Sequence, residues 1–229
     1  RRNTGEVTWC KLREALGAME IGESVRGIRG HACTPRGRDN TDGMSVFEKL
    51  ALSMQDVSGD RGVLKEVIRA GCGETVPPDS SLIVKYSGYL EHSDKPYDTN
   101  WFHRNPRLMK LGEDITLLGM EVGILTMQRG ELSRFLYSPA YAYGALGCPP
   151  LIPPSATVMF EIELLDFLDT AESDSFFALS SNHRAAFPVE KVLEIATTER
   201  KFGNYLFKRN RYDDAKDRYK RVSIISVGR

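Results

Sequence analysis

The sequence predicts an α+β protein, and three observations carry that reading. Strand-like runs dominate residues 63–168, one short helical period interrupts them near Leu117, and from Pro188 the period becomes helical. The clearest strand is Thr157 to Leu165. There Val158, Phe160, Ile162 and Leu164 alternate with Thr157, Met159, Glu161 and Glu163, which puts one face in a core and the other toward water. A chain of 229 residues can hold one ample domain or two small ones.

In chain order, residues 1–43 carry scattered Gly, Arg, Ser and Thr with isolated apolar residues, and they read as disordered. Glu6, Glu14, Glu20 and Glu23 speak against a mitochondrial transit segment, which is poor in acidic residues. Over 44–62, Val46, Phe47, Leu50, Met54 and Val57 recur at helical steps, and Ser58 to Gly62 ends the helix. Residues 63–168 then open with strands at Val63 to Ile68 and Ser81 to Leu90, parted by a Gly/Pro turn cluster from Gly71 to Asp79. Leu117, Met120 and Ile124 form the one helical pattern, stopped at Gln128 to Gly130. Residues 169–187 read as an acidic, Ser-containing linker, and 188–229 as a helical tail with Val189, Val192, Leu193, Ala196, Phe202, Tyr205 and Leu206 in register.

Composition narrows the function. Thirty-one Lys and Arg balance thirty-one Asp and Glu, so no global field points to nucleic acid or to an anionic membrane. Direct nucleic-acid binding is not expected. From Phe135 to Phe160 no charged residue occurs, yet five prolines and two glycines in that run exclude a continuous membrane-spanning helix there. Cys10, Cys33, Cys72 and Cys148 form no CxxC and read as reduced thiols of a cytoplasmic or nuclear protein. The four histidines show no ligand spacing, so no metal and no cofactor is expected. Within Arg200 to Arg221 nine basic residues face three acidic ones, a surplus of six that fits either a solvated helix face or an anion-binding surface. The long Pro- and Tyr-rich loop beside a half-buried strand is the kind of place where binding surfaces are built.

Five motifs, taken together, resemble a known family. Tyr86-Ser87-Gly88, Lys95-Pro96-Tyr97-Asp98, Gly119-Met120-Glu121-Val122-Gly123, Tyr141-Ala142-Tyr143-Gly144 and Ile152-Pro153-Pro154 stand in the order and spacing of the FKBP-type peptidyl-prolyl isomerases, the immunophilins. The resemblance covers residues 63–168 and implies a twisted antiparallel sheet wrapped on one short helix. Beyond it, Gly203, Asn204, Tyr212, Ala215 and Tyr219 look like the start of a tetratricopeptide repeat, the plan of the large co-chaperone immunophilins. At Val222 to Gly228 β-branched residues leave that pattern, which reads as a truncated repeat. The wording of the chain is similar to the germ-cell member of the family, regarded as catalytically inactive. That likeness implies a co-chaperone of heat-shock protein 90 in meiosis and in small-RNA transposon silencing.

The chemistry of such a cleft is simple. Rotation about an Xaa–Pro bond meets a barrier of about 18–20 kcal/mol, because twisting costs the amide its resonance. Lowering it requires no nucleophile or metal, only an apolar pocket for the ring and hydrogen bonds that favour the twisted amide. The resemblance puts that cleft on Tyr86, Tyr97, Asp98, Met109, Thr116, Leu117, Met120, Tyr143, Leu151, Ile152 and Phe160. It implies that the Tyr143 hydroxyl faces a ligand carbonyl, that Asp98 sits beside Tyr86, and that the Leu117 backbone donates to the ligand. Read from spacing alone, Leu117 and Met120 are a helix face against the sheet. Active members of the family carry a tryptophan where Met120 stands, phenylalanines at Tyr97, Arg107 and Met109, and often a histidine at Cys148. A methionine floor is softer and offers less fixed aromatic area, and Arg107 brings a charge to the rim. For the chaperone carboxylate, Arg200 and Asn204 match a partial clamp. The expected function is therefore a protein-binding co-chaperone or scaffold with weak or absent isomerase activity toward Xaa–Pro peptide segments. The alternatives are an active isomerase, or a β-rich scaffold whose basic tail meets RNA or an acidic protein.

Overall fold

The computed structural model describes residues 43–115 and 117–227. The disorder expected for 1–43 falls outside them but for its last residue, and so does Thr116. The elements in order are α1 (Val46–Ser53), β1 (Gln55–Asp56), β2 (Val63–Arg69), β3 (Cys72–Thr75), β4 (Ser81–Leu90), β5 (Asp98–Thr99), β6 (Met109–Lys110), α2 (Leu118–Leu125), β7 (Gln128–Arg129), β8 (Leu132–Tyr137), β9 (Val158–Leu168), α3 (Ala171–Ala178), α4 (Ser181–Ala185), α5 (Val189–Lys208) and α6 (Tyr212–Val227). One antiparallel sheet runs β1-β2-β8-β9-β4-β5, with β6 also on β4, and β3 pairs β7 apart from it. The chain is thus an α+β domain, an antiparallel sheet with one short helix on its face as the resemblance implies, followed by helices.

α2 lies on one face of the sheet. Met120 and Ile124 pack there with Phe135, Tyr137, Phe160 and Ile162 in the main core. The close approach depends on Gly119, where an added Cβ would come within 2.6 Å of the Tyr137 ring and 2.8 Å of the Tyr141 carbonyl. On the opposite face α1 sets Phe47, Leu50 and Met54 against Leu64, Tyr89, Leu136 and Met159. The alternation of β9 is therefore correct in register, but its second face is largely covered, with Glu163 and Leu165 only half-buried. Met159 and Glu161 are buried, and Glu161 accepts from Arg134 at 2.9 Å while Arg134 also bridges Glu66 at 2.8 Å.

α1 begins at a capping box, in which the Ser45 hydroxyl and the Glu48 carboxylate take each other's backbone N–H. It stops four residues before the Val57 expected from periodicity. Met54 is extended, and the Asp56 carboxylate instead accepts from the N–H groups of Ser58, Gly59 and Arg61, which closes a turn. The stretch 169–187, expected as a linker, is largely helical. Glu172 and Asp174 lie in the first turn of α3, and Phe176 is buried with Val192 and Ile195. α6 likewise continues through the β-branched run to Val227, since packing against α5 outweighs local propensity; Gly203 admits the Tyr219 ring between the two helices.

The tail is fastened to the sheet by charge. Asp174 on α3 meets Lys110 of β6 and Arg221 of α6, each at 2.5 Å. Glu199 of α5, fully buried, meets Arg218 at 3.1 Å, and Arg218 also donates to Ser81 of β4 at 3.1 Å. Arg211 donates to the Pro106 carbonyl at 2.8 Å. Arg209 pairs with Asp166 of β9 at 3.2 Å, so four of the nine basic tail residues are engaged within the fold. No described helix is long and apolar enough to cross a membrane.

Candidate functional site

A small cavity of about 80 Å³ opens between α2, β4, β9 and the loop after β8, lined by Tyr86, Asp98, Met109, Asp114, Ile115, Leu117, Met120, Tyr143 and Phe160. Larger depressions lie elsewhere, about 370 Å³ at the Lys110–Arg218 junction, about 530 Å³ along Phe176, Phe187 and Ile225, and about 320 Å³ beside Phe207 and Tyr212. The small cavity is the site that combines aromatic walls with convergent hydroxyls. Seven of the residues expected from sequence line it, Thr116 is not described, and three take other places.

Each side chain has a local reason for its position. The Tyr86 backbone is clamped by Asn100, which accepts from the Tyr86 N–H at 2.7 Å and donates to the Val84 carbonyl at 2.9 Å. The Tyr86 and Phe160 rings are tilted with centroids 6.2 Å apart. Tyr97 stands edge-on to both Tyr143 and Phe160, at 6.0 Å from each. Gly88 makes room for it, because a Cβ there would lie 2.8 Å from Phe160 and 3.0 Å from the Tyr97 ring. Met120 is buried at 6 % exposure and forms the floor. Leu117 is the N-cap of α2, so its own N–H stands outside the hydrogen-bond ladder of the helix.

Tyr143 sits at the root of a loop stiffened by its own backbone. Gly144 N–H donates to the Pro139 carbonyl at 2.7 Å, Gly147 N–H to Tyr143 at 3.2 Å, and Cys148 and Ile152 exchange two bonds of 2.9 Å. Gly147 has φ +66° and no room for a Cβ, which would lie 2.4 Å from the Pro153 carbonyl. This pairing turns Ile152 into the loop, buried, and leaves Leu151 exposed at the surface rather than in the cavity.

The electrostatics of the site are those of buried phenols. Burial, then the Asp98 carboxylate, raises the Tyr86 hydroxyl. Burial, then the neighbouring Tyr143 hydroxyl, raises Tyr97 strongly. Burial raises Tyr143 as well, while Tyr97 acts in the opposite sense. Among the described residues three buried side-chain oxygens lack a hydrogen-bond partner: those of Tyr97 and Tyr137, and Glu199 Oε2. The hydroxyls of Tyr97 and Tyr143 are close enough to influence each other's ionisation, yet they are not aligned as a hydrogen bond.

The charge of Arg107 does reach this region, but its guanidinium pairs with Asp114 at 2.5 Å. Asp114 and Ile115 line the cavity and were not expected from sequence. Opposite charges at Arg107 and Asp114 are the only hint the sequence holds. The Lys110 N–H and then Arg107 hold the Asp114 carboxyl below its usual range against the effect of burial. Arg200 and Asn204 are exposed one turn apart on α5, away from the cavity, and Asn204 accepts from the Tyr219 hydroxyl at 2.8 Å. No group of three or more His, Cys, Asp or Glu among the described residues is arranged to hold a metal.

Comparison with known proteins adds to this geometry. The FKBP-type peptidyl-prolyl cis-trans isomerase family matches residues 72–165. The chain is 66 % identical over 183 residues, 80 % of its length, to the mouse protein named inactive peptidyl-prolyl cis-trans isomerase FKBP6, and 65 % identical over 187 residues, 82 % of its length, to the human protein of that name. It spans 56 % and 57 % of the length of those two relatives. The N-terminal domain of FKBP42 from Arabidopsis thaliana superimposes with a TM-score of 0.47 at 22 % identity, over 59 % of this chain and 98 % of that one.

Proposed function

Since the chain carries an FKBP-type domain, we propose that it acts as a co-chaperone or scaffold that holds proteins, with isomerase activity weak or absent. One observation carries this reading. Tyr86, Asp98, Tyr143 and Phe160 still frame the cleft, but its floor is Met120 and its volume only about 80 Å³. Only interactions stronger with the twisted amide than with the planar one accelerate rotation. A flexible thioether under the proline ring holds planar and twisted forms about equally, so a segment can bind without being turned over. The name of the mouse and human relatives is in keeping with this.

For a full-length form we extend the proposal to heat-shock protein 90 as partner, with Arg200 and Asn204 as part of a clamp for its terminal carboxylate, in the cytoplasm or nucleus of germ cells during meiosis and small-RNA silencing. Co-purification of the chaperone with a full-length form, lost on Asn204→Ala, is the measurement for that extension. The alternative is a working isomerase, favoured by the same four framing residues.

The deciding experiment is an NMR exchange assay of Xaa–Pro isomerisation with the whole chain, wild type beside Met120→Trp. Wild type is expected to be silent, and the variant to gain at least about tenfold in rate, the equivalent of about 1.4 kcal/mol of barrier. Robust turnover by wild type would make the protein an enzyme and remove the weight placed on Met120.

A further inference from the structure

The geometry points to Tyr97 as a positioning residue: its buried, unpartnered hydroxyl, on a ring edge-on to Tyr143, turns to donate to the Tyr143 oxygen when a peptide binds or Tyr143 ionises, and so directs the Tyr143 proton outward, at the carbonyl of a bound peptide. The inference rests on the reading of this cleft as a peptide site, and adds a residue that acts through another. Where the family carries phenylalanine, this half-buried ring carries a hydroxyl whose oxygen no solvent reaches.

The Tyr97 oxygen is buried without a partner, and its ring meets Tyr143 edge-on at 6.0 Å. A buried, unpaired hydroxyl is costly, by about 1–3 kcal/mol. Two alignments of the pair are available. If Tyr143 donates to Tyr97, the Tyr97 proton stays unpaired and the Tyr143 proton is withdrawn from the ligand. If Tyr97 donates to Tyr143, both protons are used once a carbonyl accepts from Tyr143. A ligand carbonyl thus selects the second alignment, and each bond of the resulting chain polarises the next. The other titratable groups that Tyr97 feels are Asp98 and Tyr137, while Tyr143 feels Asp98 and Cys148. Neither carboxylate nor thiol offers Tyr97 a hydrogen bond in this structure. The direction is also that of the phenols' ionisation, since the Tyr97 hydroxyl favours the ionised form of Tyr143.

The test has one arm without ligand and one with it. In the first, the whole chain carries ¹³Cζ-tyrosine, and Tyr143 is titrated in wild type and in Tyr97→Phe over the pH range where circular dichroism stays native. Tyr143 is expected to ionise at a higher pH in the variant. An unchanged or lower midpoint in a folded variant overturns the inference. In the second arm an Xaa–Pro tetrapeptide is titrated into wild type, Tyr97→Phe, Tyr143→Phe and the double variant. Tyr97→Phe should weaken binding about three- to tenfold, the range of one net hydrogen bond. In the Tyr143→Phe background the same change should do nothing further. Additive losses, or tighter binding by Tyr97→Phe, overturn the inference. Failure of wild type to bind the peptide at all refutes the peptide-site reading instead, and the titration arm still decides the hydrogen bond between the two tyrosines.

Discussion

Around Glu199 five charged side chains, those of Lys110, Asp174, Glu199, Arg218 and Arg221, are drawn together between sheet and tail, and their charges are largely satisfied by one another. Around Phe160 the carboxylates of Asp98 and Asp114 lie in the lining with Asp114 paired to Arg107, while two neutral polar atoms, the hydroxyls of Tyr97 and Tyr137, have no partner. The junction uses its polarity to fix one arrangement of the chain. The cleft leaves polarity unspent beside an apolar floor. A region that serves folding closes most of its hydrogen bonds internally, here all but that of Glu199 Oε2, and a region that serves recognition keeps more of them open.

The comparison breaks most sharply at Arg218. Replacing it by alanine leaves Glu199 buried with the Ser173 hydroxyl and a single cation, Arg221 at 3.5 Å, and Glu199 Oε2 already lacks a partner. Removing one member of a buried pair costs about 3–5 kcal/mol, so Arg218→Ala should destabilise the chain by about 3 kcal/mol in urea unfolding. The double change Arg218→Met with Glu199→Leu should restore most of the loss, because it removes the stranded charge together with its partner. If Arg218→Ala unfolds within about 0.5 kcal/mol of wild type, the junction is a surface feature and the contrast with the cleft fails.

Acid gives the next largest effect, and it acts on the same region. Burial alone would raise Asp174, but the hydrogen bonds from Lys110 and Arg221 outweigh it and bring its pKa to about 2 from an ordinary value of 3.8. A group whose folded pKa is depressed contributes stability above its unfolded pKa, and that stability is lost as pH falls through the folded one. The contribution of Asp174 is therefore complete above pH 3.8 and gone near pH 2. An Asp174→Asn chain should show a flatter loss of stability across that window. An identical pH profile would mean that Lys110 and Arg221 do not hold the carboxylate in solution.

How much of this was legible differs between the two regions. The core strands, α2 and most of the cleft followed from alternation and from motifs at fixed spacing, since β4 and β9 pair without interruption from Val84 to Leu90, the one register shift lying between Ile83 and Val84. Leu151 was misplaced because a backbone pairing inside the loop decides which of Leu151 and Ile152 turns inward. The junction was invisible. Asp174, Glu199 and Arg218 belong to three helices, and in sequence the acidic stretch reads as a linker and the basic tail as a solvated helix face or an anion-binding surface. Charges that meet only in the folded chain leave no period behind. For the same reason α3 was mistaken for linker, since its buried Phe176 gains its partners from α5.

Tyr137 offers the smallest effect and the finest distinction. Its hydroxyl is fully buried and unpartnered like that of Tyr97, and burial raises its pKa well above the usual phenol. It lies beneath α2 near Gly123, however, outside the lining of the cavity. If unpaired hydroxyls near the cleft are merely a cost of packing, Tyr97→Phe and Tyr137→Phe should behave alike, each raising stability by about 1 kcal/mol in urea unfolding. If the cleft keeps the Tyr97 hydroxyl for a ligand, only Tyr137→Phe should be silent toward Tyr143. Its gain in stability should then come with an unmoved Tyr143 titration and an unchanged peptide affinity. A Tyr137→Phe chain that shifted both would move the polar function of the cleft one layer deeper, under the helix.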